Sequence, residues 1–310
     1  MILPSFDDFQ ELLPWIWIGG GALAVTLIPG LRRSAIWMGA LAAVGLGAAI
    51  HLGVQDLEGA QPEWPPLLFL DRVRWGVVGA MVVGLLDTVL LIDPSSRRRH
   101  LRWIPRVALI TWFLWTLPQS PLASEWQTTQ ERLWLTTVGT SMLLLVFFTE
   151  SSAQRTKGPL VPLTLTLMCA ATSLALLQFR DSSLAHMTGL LAGSLGVATV
   201  ASFGFRKASL PAGALSIACF SLTAILVASR FYASGDVPPP KLFYLGILLA
   251  PITLWLGSRA PTPDEAAKPG KKPPRKPTRL RPILVGWLLA VALIGGALWI
   301  AVDAAPVFDH

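Results

Sequence analysis

Apolar residues occur along this chain in blocks, separated by short polar or charged segments. The blocks are about 17–25 residues long, which is the length that an α-helix needs to cross a bilayer. The pattern therefore predicts an all-α fold, a polytopic membrane bundle of ten transmembrane helices. The predicted helices cover residues of about 12–30, 34–54, 68–92, 103–118, 133–150, 159–178, 183–203, 210–232, 241–257 and 282–302.

One connection differs from the others in composition. Residues 258–281 are rich in Pro and carry eight basic residues, which is typical of an extended, disordered linker. The chain thus divides into a membrane domain with nine helices (1–257), this linker, and a tenth helix with a short tail (282–310). The linker either fixes the orientation of the last helix or binds anionic lipid headgroups, at about 1 kcal/mol per basic residue. It lacks interleaved aromatic residues, so we do not expect a nucleic-acid partner.

Composition supports the membrane assignment. Apolar residues make up 53% of the 310 residues and charged residues only 14%, against roughly 25% in an average soluble domain. The mean hydropathy is +0.57. These values exclude a soluble enzyme. Both cysteines, Cys169 and Cys219, fall inside apolar blocks, so we expect buried thiols rather than a disulfide framework.

Basic residues are concentrated on alternate connections. When the connections are sorted by side, 18 of the 25 Lys and Arg residues lie on one side, which we call the basic face. By the positive-inside rule this face is cytoplasmic, and both termini lie on the opposite face. Asp7, Asp8 and Glu11 precede the first block, where a cleavable signal would carry positive charge, so we expect this block to remain as a helix. The expected location is a bacterial cytoplasmic (inner) membrane.

Asp87 lies inside the third predicted helix, about one and a half turns from the basic face. A carboxylate at this depth costs several kcal/mol unless it is paired, protonated or hydrated. Arg106 lies at a similar depth on the fourth helix, so an ion pair between the two is geometrically reasonable. Asp87 is then part of a fixed interhelical pair, a proton- or ion-coupling carboxylate in a cavity, or a group that extends towards the interface.

Polar residues also gather near the opposite face. If the helix ends that carry them converge, they form a polar vestibule for an anionic headgroup or solute; otherwise they contact lipid phosphates and water. The residues of this outer cluster are His51, Asp71, Arg72, Arg74, Arg180, Asp181, His186 and Arg230. His51 and His186 are at matched depth, but no C-x-x-C-H motif is present, so we predict no cofactor and do not expect haem. No metal site is predicted.

Small residues recur every four positions on several predicted helices. Such ridges let helix backbones approach closely, and packing alone accounts for them. They comprise Ala35, Gly39, Ala43 and Gly47 on the second helix, Gly76, Ala80 and Gly84 on the third, and Gly189 and Gly193 on the seventh.

The sequence lacks several enzyme signatures: no H-E-x-x-H metal site, Walker A sequence or G-x-S-x-G elbow occurs. We therefore favour a non-enzymatic membrane protein. Three functions agree with the pattern. The first is a small-solute permease, the second is a non-catalytic membrane subunit or scaffold that binds other protein subunits, and the third is a membrane-embedded enzyme that acts on lipid.

Overall fold

The predicted all-helical bundle is confirmed in a computed structural model of the chain. The structure describes residues 6–28, 35–59, 69–90, 100–116, 128–179, 181–205, 210–231, 239–258 and 280–304, together with residues 62 and 66. Within these ranges there are ten main helices and no strand. They are α1 (Phe6–Thr26), α2 (Ala35–Glu58), α3 (Phe69–Leu90), α4 (Trp103–Thr116), α5 (Thr128–Arg155), α6 (Leu160–Gln178), α7 (Ser182–Gly204), α8 (Ala212–Phe231), α9 (Lys241–Ser258) and α10 (Leu280–Asp303).

Two helices extend well beyond the apolar blocks that predicted them. Helix α1 begins at Phe6 rather than near residue 12, and α5 runs from Thr128 to Arg155 rather than from 133 to 150. Hydropathy locates the part of a helix that crosses the hydrocarbon, whereas the backbone hydrogen bonds continue into the polar interface. In α5 the hydroxyls of Thr136 and Thr137 also donate to carbonyls of the preceding turn.

Eight of the ten helices are long and apolar enough to cross a membrane, so this is a multi-pass membrane protein. The two exceptions are α1 and α4, and the 14 residues of α4 fall short of the about 20 that a full crossing needs. Helix α4 is nevertheless apolar, and it packs against α3 and α5.

Helix α8 occupies the centre of the bundle. Seventeen of its residues are buried, and it packs against α2, α3, α5, α6 and α7. Helix α1 packs against α2 and α7 at one side of the bundle. At another side α9 and α10 form an antiparallel pair, in which α9 contacts α5 and α10 contacts α6.

The small-residue ridge of α2 lies against α3, and it meets the α3 ridge where Ala43 contacts Gly84. A Cβ atom on Gly39 would meet Thr88, Gly84 lies beside Ala43, and Gly47 lies beside Met81. These contacts define one antiparallel register along the two helices.

On α7 the ridge faces two neighbours, because Gly189 lies towards Ser173 of α6 and Gly193 lies against Ile16 of α1. Gly76 of α3 lies against Phe220 of α8. The backbones of α3 and α8 approach closely where Gly84 lies against Gly213. There a Cβ atom on either glycine would come within 3 Å of the other glycine's carbonyl oxygen.

Most of the predicted linker 258–281 and Arg180 lie outside the described residues. The division into membrane domain, linker and tenth helix therefore stays a prediction, as do the roles assigned to the linker.

Candidate functional site

Four ionisable side chains meet inside the bundle close to the basic face. Asp87 lies near the C-terminal end of α3, and Glu150 lies near the C-terminal end of α5. Arg102 immediately precedes α4, and Arg106 lies in its first turn. Since α3 and α5 run in one direction and α4 in the other, these three helix ends lie at the same face. All four residues are buried, and we call them the charged cluster.

Asp87 is completely buried and receives several donors. Arg106 donates to its Oδ2 atom from Nε at 3.0 Å and from Nη2 at 2.7 Å. The hydroxyl of Ser216, on the central helix α8, donates to the same oxygen at 2.8 Å. The other carboxylate oxygen, Oδ1, lies 3.7 Å from Nε of Arg102. The carboxylate thus links α3 to α4 and to α8.

The carboxylate of Glu150 accepts hydrogen bonds from both guanidinium groups. Arg106 donates from Nη1 to Oε2 at 2.6 Å, and Arg102 donates from Nη2 to Oε1. Gln154, one turn further along α5, donates to Oε1 at 3.2 Å. The guanidinium carbon of Arg106 also lies 5.0 Å from the ring centroid of Trp103, within the range of a cation–π contact.

The charged cluster is balanced, with two arginines facing two carboxylates. A buried charge is tolerated when it is paired and its remaining donors or acceptors are hydrogen-bonded. Arg106 meets this condition by bridging Asp87 and Glu150. Because the partners come from separate helices, the cluster ties α4 to α3 and α5.

The close crossing of α3 and α8 sets the position of Ser216. Gly84 lies three residues before Asp87, and Gly213 lies three residues before Ser216. Residues three apart lie on the same face of a helix. Helices α3 and α8 are antiparallel, since Gly76 lies against Phe220 and Gly84 against Gly213, so Asp87 and Ser216 lie one turn from the crossing in opposite axial directions. The close approach of the two backbones leaves the Ser216 hydroxyl 2.8 Å from Oδ2 of Asp87.

The contact between Asp87 and Arg106 was anticipated from their depth, whereas Arg102, Glu150 and Ser216 were missed as site residues. In the sequence Arg102 lies on a connection of the basic face, where positive charge indicates topology, and Glu150 lies at the end of the apolar block 133–150. A signal was present in the spacing, because Arg102 and Arg106 are four residues apart and hence on one helix face. The role of Asp87 and Arg106 as a coupling site stays a prediction.

Within the described part of the outer cluster, His51 of α2 lies close to Arg74 at the start of α3. The ring of His51 lies 6.2 Å from the ring of Trp75, and the side chains of Asp71, Arg72 and Arg74 are buried at the start of α3. Nε of Arg72 donates to the backbone carbonyl of residue 66 at 3.2 Å. The prediction of one polar vestibule remains untested by these contacts.

Asp181 belongs to the same cluster and is the N-cap of α7. Its side chain accepts a hydrogen bond from the backbone N–H of Leu184 at 3.4 Å. Burial raises the pKa of this carboxyl above its ordinary value, and the Leu184 N–H opposes the shift.

A first cavity of about 270 Å³ lies between α5, α8 and α9, towards the face opposite to the basic face. Its wall is mainly apolar, and two cationic side chains, Arg230 and Lys241, line it. The hydroxyls of Thr137 and Thr223, which also line it, donate to backbone carbonyls of their own helices. These hydroxyls therefore leave the wall apolar.

A second cavity of about 280 Å³ lies between α1, α6 and α7. His186 lines it together with small and aliphatic residues. The hydroxyl of Ser173 at this cavity donates to the carbonyl of Ala185 at 2.8 Å. The two cavities are thus alike in size and mainly apolar, but only the first one has Arg or Lys side chains in its described lining.

Among the residues that the structure describes, no three His, Cys, Asp or Glu side chains are grouped closely enough to hold a metal ion. The expectation that the protein has no haem or other cofactor stays a prediction. A comparison of the sequence with protein-family models and with curated proteins gives no match.

Proposed function

We propose that the protein is a small-solute permease, in which the charged cluster closes the pathway at the basic face. The observation that carries this proposal is the burial of two carboxylates and two arginines between the ends of α3, α4 and α5, beside the central helix α8. Ionisable residues inside a membrane bundle are costly, and they commonly mark a solute or ion pathway.

Energetics favour a gate over a purely structural role. Replacing a buried ion pair with well-packed apolar residues is often neutral or stabilising, so a static bundle gains little from the four charges. Charges do, however, have two favourable environments. They pair with one another when the site is dry, and they are hydrated when water enters. A contact made of charges can therefore open and close at a lower cost than an apolar contact of the same size.

The native cysteines provide a test of opening. Cys219 lies one turn deeper in α8 than Ser216, and Cys169 lies on α6; both are buried. In a Cys169→Ala protein, Cys219 is the single thiol. We expect a charged, membrane-impermeant thiol reagent to label it slowly from the basic face, and at least about ten times faster when Arg106→Gln weakens the cluster. The matched control is Cys219→Ala, in which Cys169 should stay unlabelled.

Transport itself is tested in proteoliposomes. Currents evoked by rapid solute jumps are recorded for a panel of amino acids, monocarboxylates and sugars. We expect at least one solute to give a current that Asp87→Asn abolishes, while the exposed Arg132→Gln on α5 leaves it unchanged. A protein whose Cys219 is as unreactive as Cys169, with and without Arg106→Gln, and that moves no solute would contradict the proposal.

A non-catalytic membrane subunit is the second candidate, and a specific observation favours it. The described helices are continuous even at Pro14 of α1 and Pro251 of α9, whereas many permeases bind solute at interrupted helices. Co-purification of a partner protein in fixed stoichiometry, combined with an unreactive Cys219, would support this second function over the first.

A further inference from the structure

We infer that the first cavity, between α5, α8 and α9, binds one anionic phospholipid from the leaflet opposite to the basic face. In this arrangement an acyl chain occupies the apolar cleft, and the phosphate lies against Arg230 and Lys241. The inference concerns a site separate from the charged cluster, and it does not depend on the proposed permease function.

The chemistry of the wall selects an acyl chain. Met142, Leu226, Leu245 and Leu248 contribute apolar surface to the cavity. Of the three Ser and Thr hydroxyls in the described lining, those of Thr137 and Thr223 bond to backbone carbonyls, which leaves Ser141 as the one that could mark a polar-solute site. Sites for polar small molecules instead present a few convergent polar groups to the ligand.

The hydroxyl of Tyr244 is also close to a hydrogen-bonding group of the protein. This hydroxyl lies 3.2 Å from the hydroxyl of Ser229 on α8. The aromatic ring of Tyr244 therefore contributes apolar surface to the cavity wall. The volume of about 270 Å³ is just below the range of about 300–1,000 Å³ for ligand pockets. It suits part of one acyl chain, with the remaining chain in the bilayer.

The charge at the cavity selects the headgroup. Arg230 is the C-terminal basic residue of α8 and Lys241 is the first residue of α9, so both lie at the membrane boundary on the same face. No acidic residue contributes to the described lining. A phosphate complements two adjacent cations, and Arg is particularly suited to it. The second cavity offers a matched contrast, because it is also mainly apolar but has no Arg or Lys in its described lining.

Native mass spectrometry of the full-length protein provides the test. The protein is purified in detergent with equal amounts of phosphatidylglycerol and phosphatidylcholine, and the lipid that remains bound is identified. We expect one phosphatidylglycerol per protein. The double variant Arg230→Gln/Lys241→Gln should lower this preference about 30-fold, since each basic residue near the surface contributes about fivefold.

Two controls locate the site. Arg132→Gln neutralises a cation near the same face without touching the cavity, and His186→Gln changes the second cavity; neither should alter the preference. Ser141→Leu fills the first cavity and keeps both cations, so it should also reduce lipid retention. Retention of phosphatidylcholine equal to that of phosphatidylglycerol would overturn the inference, and so would an unchanged preference in the double variant.

A third measurement distinguishes a lipid from a soluble anion. Glycerol 3-phosphate supplies the same phosphate chemistry without an acyl chain, and inorganic phosphate supplies the anion alone. We expect neither to displace the bound phosphatidylglycerol at millimolar concentration. Displacement by either would show that the cations bind a soluble anion, and the lipid site would then be rejected.

Discussion

The central helix α8 meets charged residues near both of its ends, and the two arrangements differ. Near the N-terminal end, Ser216 contacts a cluster in which two arginines face two carboxylates and all four side chains are buried. At the C-terminal end, Arg230 shares an apolar cavity with Lys241, and the described lining holds no acid. Charges of both signs are paired and buried at one end, whereas the cavity lining at the other end carries two cations and suits an anion, with Asp181 nearby at Tyr244.

The same substitution should therefore have different effects at the two ends. Arg106→Gln removes the bridge between Asp87 and Glu150 and leaves two buried carboxylates facing a single arginine, Arg102. Breaking a buried ion pair in this way costs about 3–5 kcal/mol of unfolding free energy. Arg230→Gln at the partly exposed end should cost no more than about 1 kcal/mol. Unfolding by SDS titration in mixed micelles measures both values. Equal losses would remove the distinction between the two ends.

Serine substitutions compare the ends through hydrogen bonds. Ser216→Ala removes a hydroxyl that donates to the Asp87 carboxylate, and bonds to charged groups contribute about 1.5–3 kcal/mol. Ser229→Ala removes a hydroxyl that bonds a backbone carbonyl and lies near the Tyr244 hydroxyl; such neutral bonds contribute about 0.5–1.5 kcal/mol. The same SDS titration ranks the two variants. A smaller loss for Ser216→Ala would argue that Asp87 does not depend on α8.

A glycine substitution tests whether close packing positions the charged cluster. Gly84→Ala would place its Cβ 2.9 Å from the carbonyl oxygen of Gly213, and a backbone atom cannot move aside easily. We expect a loss of about 1–3 kcal/mol. We also expect faster labelling of Cys219, because α8 shifts away from Asp87. In Gly79→Ala the Cβ meets only the end of the Leu109 side chain, which can rotate. Gly79→Ala should therefore be milder in both measurements.

The two ends also differ in how far the sequence predicts them. Asp87 and Arg106 stand out because ionisable residues are rare inside apolar blocks, and their shared depth predicts their contact. Glu150 and Arg102 do not stand out, since the end of an apolar block is also where interfacial charges are expected. Their burial depends on how far α5 continues and how α4 packs, which are tertiary properties.

The first cavity was less accessible to prediction from the sequence. The sequence gives the depth of Arg230 along the membrane, which it shares with the other residues of the outer cluster, but depth does not give the position of a residue around the bundle. The neighbours of Arg230 follow from the packing of α9 against α5. The helix count follows from local apolarity, whereas the contents of a site follow from contacts between helices that are distant in sequence.

The smallest expected effect concerns Asp181, an acid near the face on which Arg230 lies. Burial raises the pKa of its carboxyl in the folded protein above the unfolded value of about 3.9. The stability that the protonated form contributes is present below the unfolded pKa, and it is lost as the pH rises through the folded pKa. Asp181→Asn keeps an equally good N-cap but carries no charge. We therefore expect the variant to match the wild type near pH 4 and to become the more stable protein as the pH rises.

Thermal unfolding in detergent across this range measures the difference, with the exposed Asp303→Asn as a control for losing one carboxylate. A variant that loses stability relative to wild type with rising pH would mean that the charged carboxylate is compensated at this end too, as the carboxylates of the charged cluster are at the other end.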